Sequence, residues 1–193
     1  MKKLALLFII LISFVGFAQQ KAKPFENVDN ERFQIVKHFL LDLDGVPDYG
    51  FMIMNFEDWD MGICLKGDSI IYRVYEKPIL SWLYEYNNAC DNGEEPLPPV
   101  LTAEYKLKID SPKDFSAIAQ FLQSIVDKAT PFKEETPCVD GINWYVLANG
   151  KWAYIRTGSL QKAGAITDKL IHIASACENN DPANLTREAL GLE

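Results

Sequence analysis

The chain has 193 residues, 48% of them apolar and 24% charged, with 19 Lys plus Arg against 27 Asp plus Glu. At roughly 150 residues per domain this length predicts a single core, and the apolar fraction excludes a disordered or fibrous chain. The net charge of −8 argues against nucleic acid and against an anionic membrane surface as partners, because phosphate neutralisation needs a basic patch.

Lys2 and Lys3 precede an almost unbroken apolar run over residues 4–17, and Gly16 and Ala18 stand three and one before a cut ahead of Gln19. That is the pattern of a cleavable signal peptide over residues 1–18, since the run falls short of the roughly 20 residues a membrane-spanning helix needs. It predicts export to the periplasm or the extracellular space, with no stable membrane insertion after cleavage. The mature chain keeps 17 basic against 27 acidic side chains, or −10. Export places Cys64, Cys90, Cys138 and Cys177 where two disulfides can form, and Cys90 with Cys138 is the expected pair because both sit in proline-flanked stretches. None of the spacings is C-x-x-C, so a zinc site is not expected.

A polar leader follows over residues 19–28. From Asp29, a candidate N-cap, Phe33, Val36, Phe39, Leu40 and Leu43 recur at helical spacing, and Gly45 and Pro47 supply the stop. Residues 51–56 are short and apolar, and 61–65 with 70–75 form a hairpin around Gly67 and Asp68. In it Leu65 faces Ile70 and Ile63 faces Tyr72, with Cys64 and Ile71 on the opposite face. Residues 79–89 are aromatic-rich and predict a short helix, and 91–99, with three prolines, a loop. Leu101, Ala103, Tyr105, Leu107 and Ile109 alternate with polar residues as a half-buried strand does.

Ser111, Pro112 and Asp114 resemble a capping box opening a helix to about residue 129. Residues 143–148 and 151–157 flank Asn149-Gly150, a pair suited to a type I′ hairpin. A last helix runs to about Cys177, and the tail from 179 to 193 is polar and expected to fray. The order predicts an α+β fold: a largely antiparallel sheet of about six strands with three or four packed helices, in one domain over residues 29–178.

Chemistry-bearing motifs are few. Residues 39–46, FLLDLDGV, resemble the first motif of the haloacid dehalogenase-like phosphatases. That resemblance implies a magnesium-dependent hydrolase with Asp42 as nucleophile and Asp44 as proton donor, on a central parallel strand. The resemblance covers eight residues, continues a helical period rather than a strand, and lacks the family's final acidic pair. Asp42, Asp44 and Asp48 do not make an EF-hand either, since Gly45 stands fourth and Ile53 twelfth from Asp42. A looser calcium site in the acidic loops, which include Glu57, Asp58 and Asp60, stays open. His38 and His172 lie on predicted helices without a catalytic partner, and Asp168 with His172 at i, i+4 reads as a surface pair. No cofactor is expected.

The second hairpin sorts Trp144, Val146, Ala153 and Ile155 onto one face and Tyr145, Leu147, Trp152 and Tyr154 onto the other. The second face is either covered by a helix or left as a contact surface, and Tyr145, Trp152 and Tyr154 are the binding residues it would offer. The leading expectation is an exported acidic domain without catalytic activity that binds a protein. Its profile resembles that of a periplasmic immunity protein. A hydrolase at Asp42 and Asp44 and a structural envelope-associated domain are the alternatives.

Overall fold

The computed structural model describes residues 21–42, 45–54, 60–131, 142–157 and 164–191. Residues 1–20, which include the expected signal peptide, Asp44, residues 55–59 and Cys138 lie outside them. Among the described residues seven strands form one antiparallel sheet: β1 (Lys23–Pro24), β2 (Tyr49–Met54), β3 (Met61–Lys66), β4 (Ser69–Tyr75), β5 (Leu101–Lys108), β6 (Ile142–Ala148) and β7 (Lys151–Thr157). Their spatial order is β1-β7-β6-β2-β3-β4-β5, so the two predicted hairpins and β2 make its centre and β5 one edge. The helices are α1 (Glu31–Lys37), continued by a π-helical turn (His38–Asp42), then α2 (Ile79–Asp91), α3 (Pro112–Asp127) and α4 (Ala165–Glu178).

Strand alternation decides which helix covers which face. Phe51, Ile53, Ile63, Ile70, Trp144, Val146, Ala153 and Ile155 pack with the apolar sides of α3 and α4. Met52, Cys64 and Ile71 point the other way and pack with Phe33, Val36, Leu40 and Leu41 of α1 and its π turn, and with Ile79 of α2. β2 and β3 are buried on both faces, so these central strands read as continuous apolar runs rather than alternating ones. Asn149 and Gly150 take φ of 49° and 74°, the left-handed pair a two-residue type I′ turn demands. Ser111 caps α3 by accepting from the Asp114 N–H at 3.3 Å, with Pro112 in the first turn.

Four expectations are corrected. The cap of α1 is Asn30, not Asp29: its Oδ1 accepts from the Phe33 N–H at 3.2 Å. The polar leader contributes β1, which pairs Lys23 with Tyr154 and Pro24 with Ala153 and raises the strand number to seven. The tail is docked rather than frayed, because Leu185 and Leu190 are buried in the core beside α4. Lys169 Nζ donates to the Leu190 carbonyl at 2.6 Å, and His172 Nε2 bonds the Asn184 carbonyl at 2.7 Å, so His172 holds the tail.

The fourth correction concerns the cysteines: no disulfide joins any two of Cys64, Cys90 and Cys177. Cys64 faces α1 while Cys177 packs on the other side of the sheet, and Cys90 is exposed on α2. Two bridges among four cysteines must link two of these three, so the two-disulfide arrangement does not form. Cys138, the expected partner of Cys90, is outside the described residues. No helix among the described residues is long and apolar enough to cross a membrane.

Candidate functional site

The aromatic face of the second hairpin is covered. Phe33 of α1 stands edge-on to Trp152 at 5.0 Å between centroids and to Tyr145 at 5.2 Å, and Phe25 lies 4.9 Å from Tyr145. Tyr154 is 5.4 Å from Tyr145 and carries Lys23 Nζ over its ring at 4.8 Å. Burial pushes the Tyr145 hydroxyl up to about 12. Tyr145, Trp152 and Tyr154 are therefore half-buried packing partners of α1 and the segment around β1, the helix-covered one of the two arrangements the alternation allowed. Trp152→Ala should cost about 2 kcal/mol of stability, less than a fully buried tryptophan because part of the ring meets solvent. Chemical denaturation of the purified variant measures it.

Asp42 ends the π-helical turn, and every strand pair among the described residues is antiparallel. The carboxylate forms an ion pair with Lys37 Nζ at 3.0 Å, and its Oδ1 is buried without a hydrogen-bond partner among the described residues. The phosphatase motif needs its first aspartate at the tip of a parallel strand with a helix following. Asp42 lacks that setting, because the apolar run before it wraps as a helix on the sheet instead of entering it. Among the described residues no three His, Cys, Asp or Glu side chains gather as a metal site.

A groove of about 460 Å³ opens between α2 and the proline-rich segment over residues 94–100. α2 buries only Ile79 among its thirteen residues, although helices in proteins draw most of their stability from a packed face. Its N-terminus is held from outside. Pro78 supplies no side-chain cap, and the buried carboxylate of Asp60 accepts from the Ile79 N–H at 2.7 Å. A carboxylate there also meets the positive end of the helix dipole. Asp60→Ala should destabilise the fold by about 2 kcal/mol, with loss of helical signal from α2 first on heating. Site-resolved hydrogen exchange across residues 79–91 checks that order.

Inside the groove, Trp82 Nε1 donates to the Leu97 carbonyl at 2.8 Å and its ring packs against Tyr86 at 5.2 Å. This clamps the proline segment and leaves Leu97 outermost, 80% exposed. The rim carries Glu76, Glu85, Glu94 and Glu95 against Lys77, which pairs with Glu85 at 2.6 Å.

No family model matches this chain, and no curated protein or solved structure is detectably similar to it.

What the groove does chemically has to be read from its own residues. It offers no nucleophile held by a base and no cluster of ligands, but an apolar floor with a surplus of carboxylates, which suits binding of a cationic surface. The sequence singled out a different aromatic set, Tyr145, Trp152 and Tyr154. Trp82, Tyr84 and Tyr86 carried a signal in the same composition, an aromatic-rich helix beside a proline loop, but their alternation gave no face.

Proposed function

We propose that the chain is an exported, non-catalytic binding domain that takes a cationic protein partner at the groove beside α2, in the manner of an immunity-type inhibitor. One observation carries this reading. Of the six large hydrophobic residues exposed among the described residues, five (Tyr84, Tyr86, Leu97, Val100 and Leu101) sit on α2, the 94–100 segment or the start of β5. Clusters of this kind rimmed by charge mark interaction surfaces, whereas scattered exposed side chains need no explanation. Carboxylates around an apolar centre give a basic partner both steering and register.

The test compares immobilised mature protein, residues 19–193, with Leu97→Ser/Glu94→Lys/Glu95→Lys and with the charge-matched control Glu26→Lys/Asp29→Lys at the β1 side of the sheet. The native compartment's extract is passed over each. The expected result is a basic protein whose retained affinity falls at least about tenfold with the groove variant and holds with the control. Equal retention by all three, or none by the wild type, overturns the proposal.

A further inference from the structure

The two edges of the sheet are treated differently. β7 is covered by β1, extended by the Phe25 N–H donating to the Trp152 carbonyl at 3.0 Å. β5 pairs with β4 alone among the described residues, and five of its eight residues are exposed. The register aligns Ile70 with Leu107 and Tyr72 with Tyr105, and the Ile109 N–H donates to the Asp68 carbonyl at 2.8 Å. N–H and C=O groups point to alternate sides along an antiparallel strand, so Tyr105 and Leu107 direct theirs to β4. Glu104, Lys106 and Lys108 direct theirs outward. The regular stretch ends at Thr102, where the β4–β5 register shifts.

We infer that β5 is a self-complementary edge that pairs antiparallel with β5 of a second copy about a two-fold axis through Tyr105. Only registers that bring outward-facing residues opposite one another can form ladder hydrogen bonds, which restricts the axis to a residue position. An axis through Glu104 sets that carboxylate against its copy, one through Lys106 pairs Glu104 with Lys108 but opposes two ammonium groups at its centre, and one through Leu107 opposes Lys106 with Lys108. With the axis at Tyr105, Glu104 of each copy lies directly opposite Lys106 of the other, twice over, on the face turned away from α3 and α4. The tyrosine pair meets on the other face, where Tyr105 already stacks on Tyr72 at 5.6 Å. Directly opposite ion pairs and aromatic pairs are the favourable cross-strand contacts, and like charges the unfavourable ones. Glu104 remains 43% exposed while accepting from Arg73 Nε at 2.8 Å, so it has a free side to offer. Lysines on an edge commonly deter pairing. Here Glu104 two residues away makes that deterrence specific to register. The inference does not rest on the groove beside α2.

Sedimentation velocity of the mature protein over about 10–500 µM should show a reversible monomer–dimer equilibrium, weak because a single strand pair buries little surface. Lys106→Glu, a change on an exposed side chain, should raise the dissociation constant at least about tenfold by turning both cross-strand pairs into like charges. Adding Glu104→Lys to it restores opposite charges only in this register and should recover dimerisation. Thermal melts of both variants confirm folding, since Glu104 also serves Arg73. If the double variant melts early, a mixture of Lys106→Glu with wild type, with fewer mixed dimers than wild type alone forms, serves in its place. A monomer throughout the range, a dimer indifferent to Lys106→Glu, or a folded double variant that stays monomeric overturns the inference.

Discussion

Trp144→Ala should remove about 4 kcal/mol of stability, the largest loss expected from a single side chain in this fold. Trp144 is fully buried at the middle of the sheet, paired with Ile53 on β2 and with Ile155 on β7, so truncation opens a cavity that the strands on either side hold open. Its indole N–H donates to the Thr157 hydroxyl at 3.3 Å, and that buried hydroxyl loses its donor as well. For a domain whose total stability is on the order of 5–15 kcal/mol, the variant stands close to unfolding at physiological temperature. Urea titration should move the midpoint down with an unchanged slope. Trp152→Ala on the opposite face should lose about half as much, because α1 covers that ring only in part.

Gly62→Ala should cost about 3 kcal/mol although it adds one methyl group. A Cβ at Gly62 would meet the Leu40 carbonyl oxygen at 2.6 Å and the carbonyl carbon at 2.9 Å. The obstacle is backbone of the π-helical turn, which cannot rotate aside as a side chain can. Leu40 and Leu41 are both buried, so relief would lift the turn from β3 and expose two leucines. Gly67→Ala is the contrast. Gly67 has φ of +63° in the β3–β4 turn with open space where the Cβ would go, so only backbone strain, about 1 kcal/mol, is at stake. Thermal melts of the two variants side by side should separate steric from conformational cost. A Gly62→Ala protein as stable as Gly67→Ala would mean that the π turn is not seated against β3.

The elements with strong local signals were legible. Asn149-Gly150 and Gly67-Asp68 set two hairpins to the residue, and alternation along residues 101–109 marked β5. Ser111 with Pro112 opened α3 because capping chemistry is written in neighbours. The π-helical turn was not legible, since its neighbouring inward leucines differ from an α period by a fraction of a turn. Nor was Asp60, whose partner lies nineteen residues away and which stands in the sequence as one more carboxylate of an acidic loop.

The candidate site shows the same division more sharply. By itself the sequence determined composition, charge, the hairpin registers and hence which aromatics share a face, because a strand sends successive side chains to opposite sides wherever it lies. Only the tertiary structure decided which face is covered. α1 reaches Tyr145 and Trp152 through Phe33, a contact across more than a hundred residues, and so turns the expected contact surface into packing. α2 keeps only Ile79 fully buried: Trp82 meets Phe39 of the π turn edge-on at 5.3 Å, while Tyr84 and Tyr86 are left outward. Exposure is a property of what the rest of the chain leaves uncovered, and no local pattern encodes it.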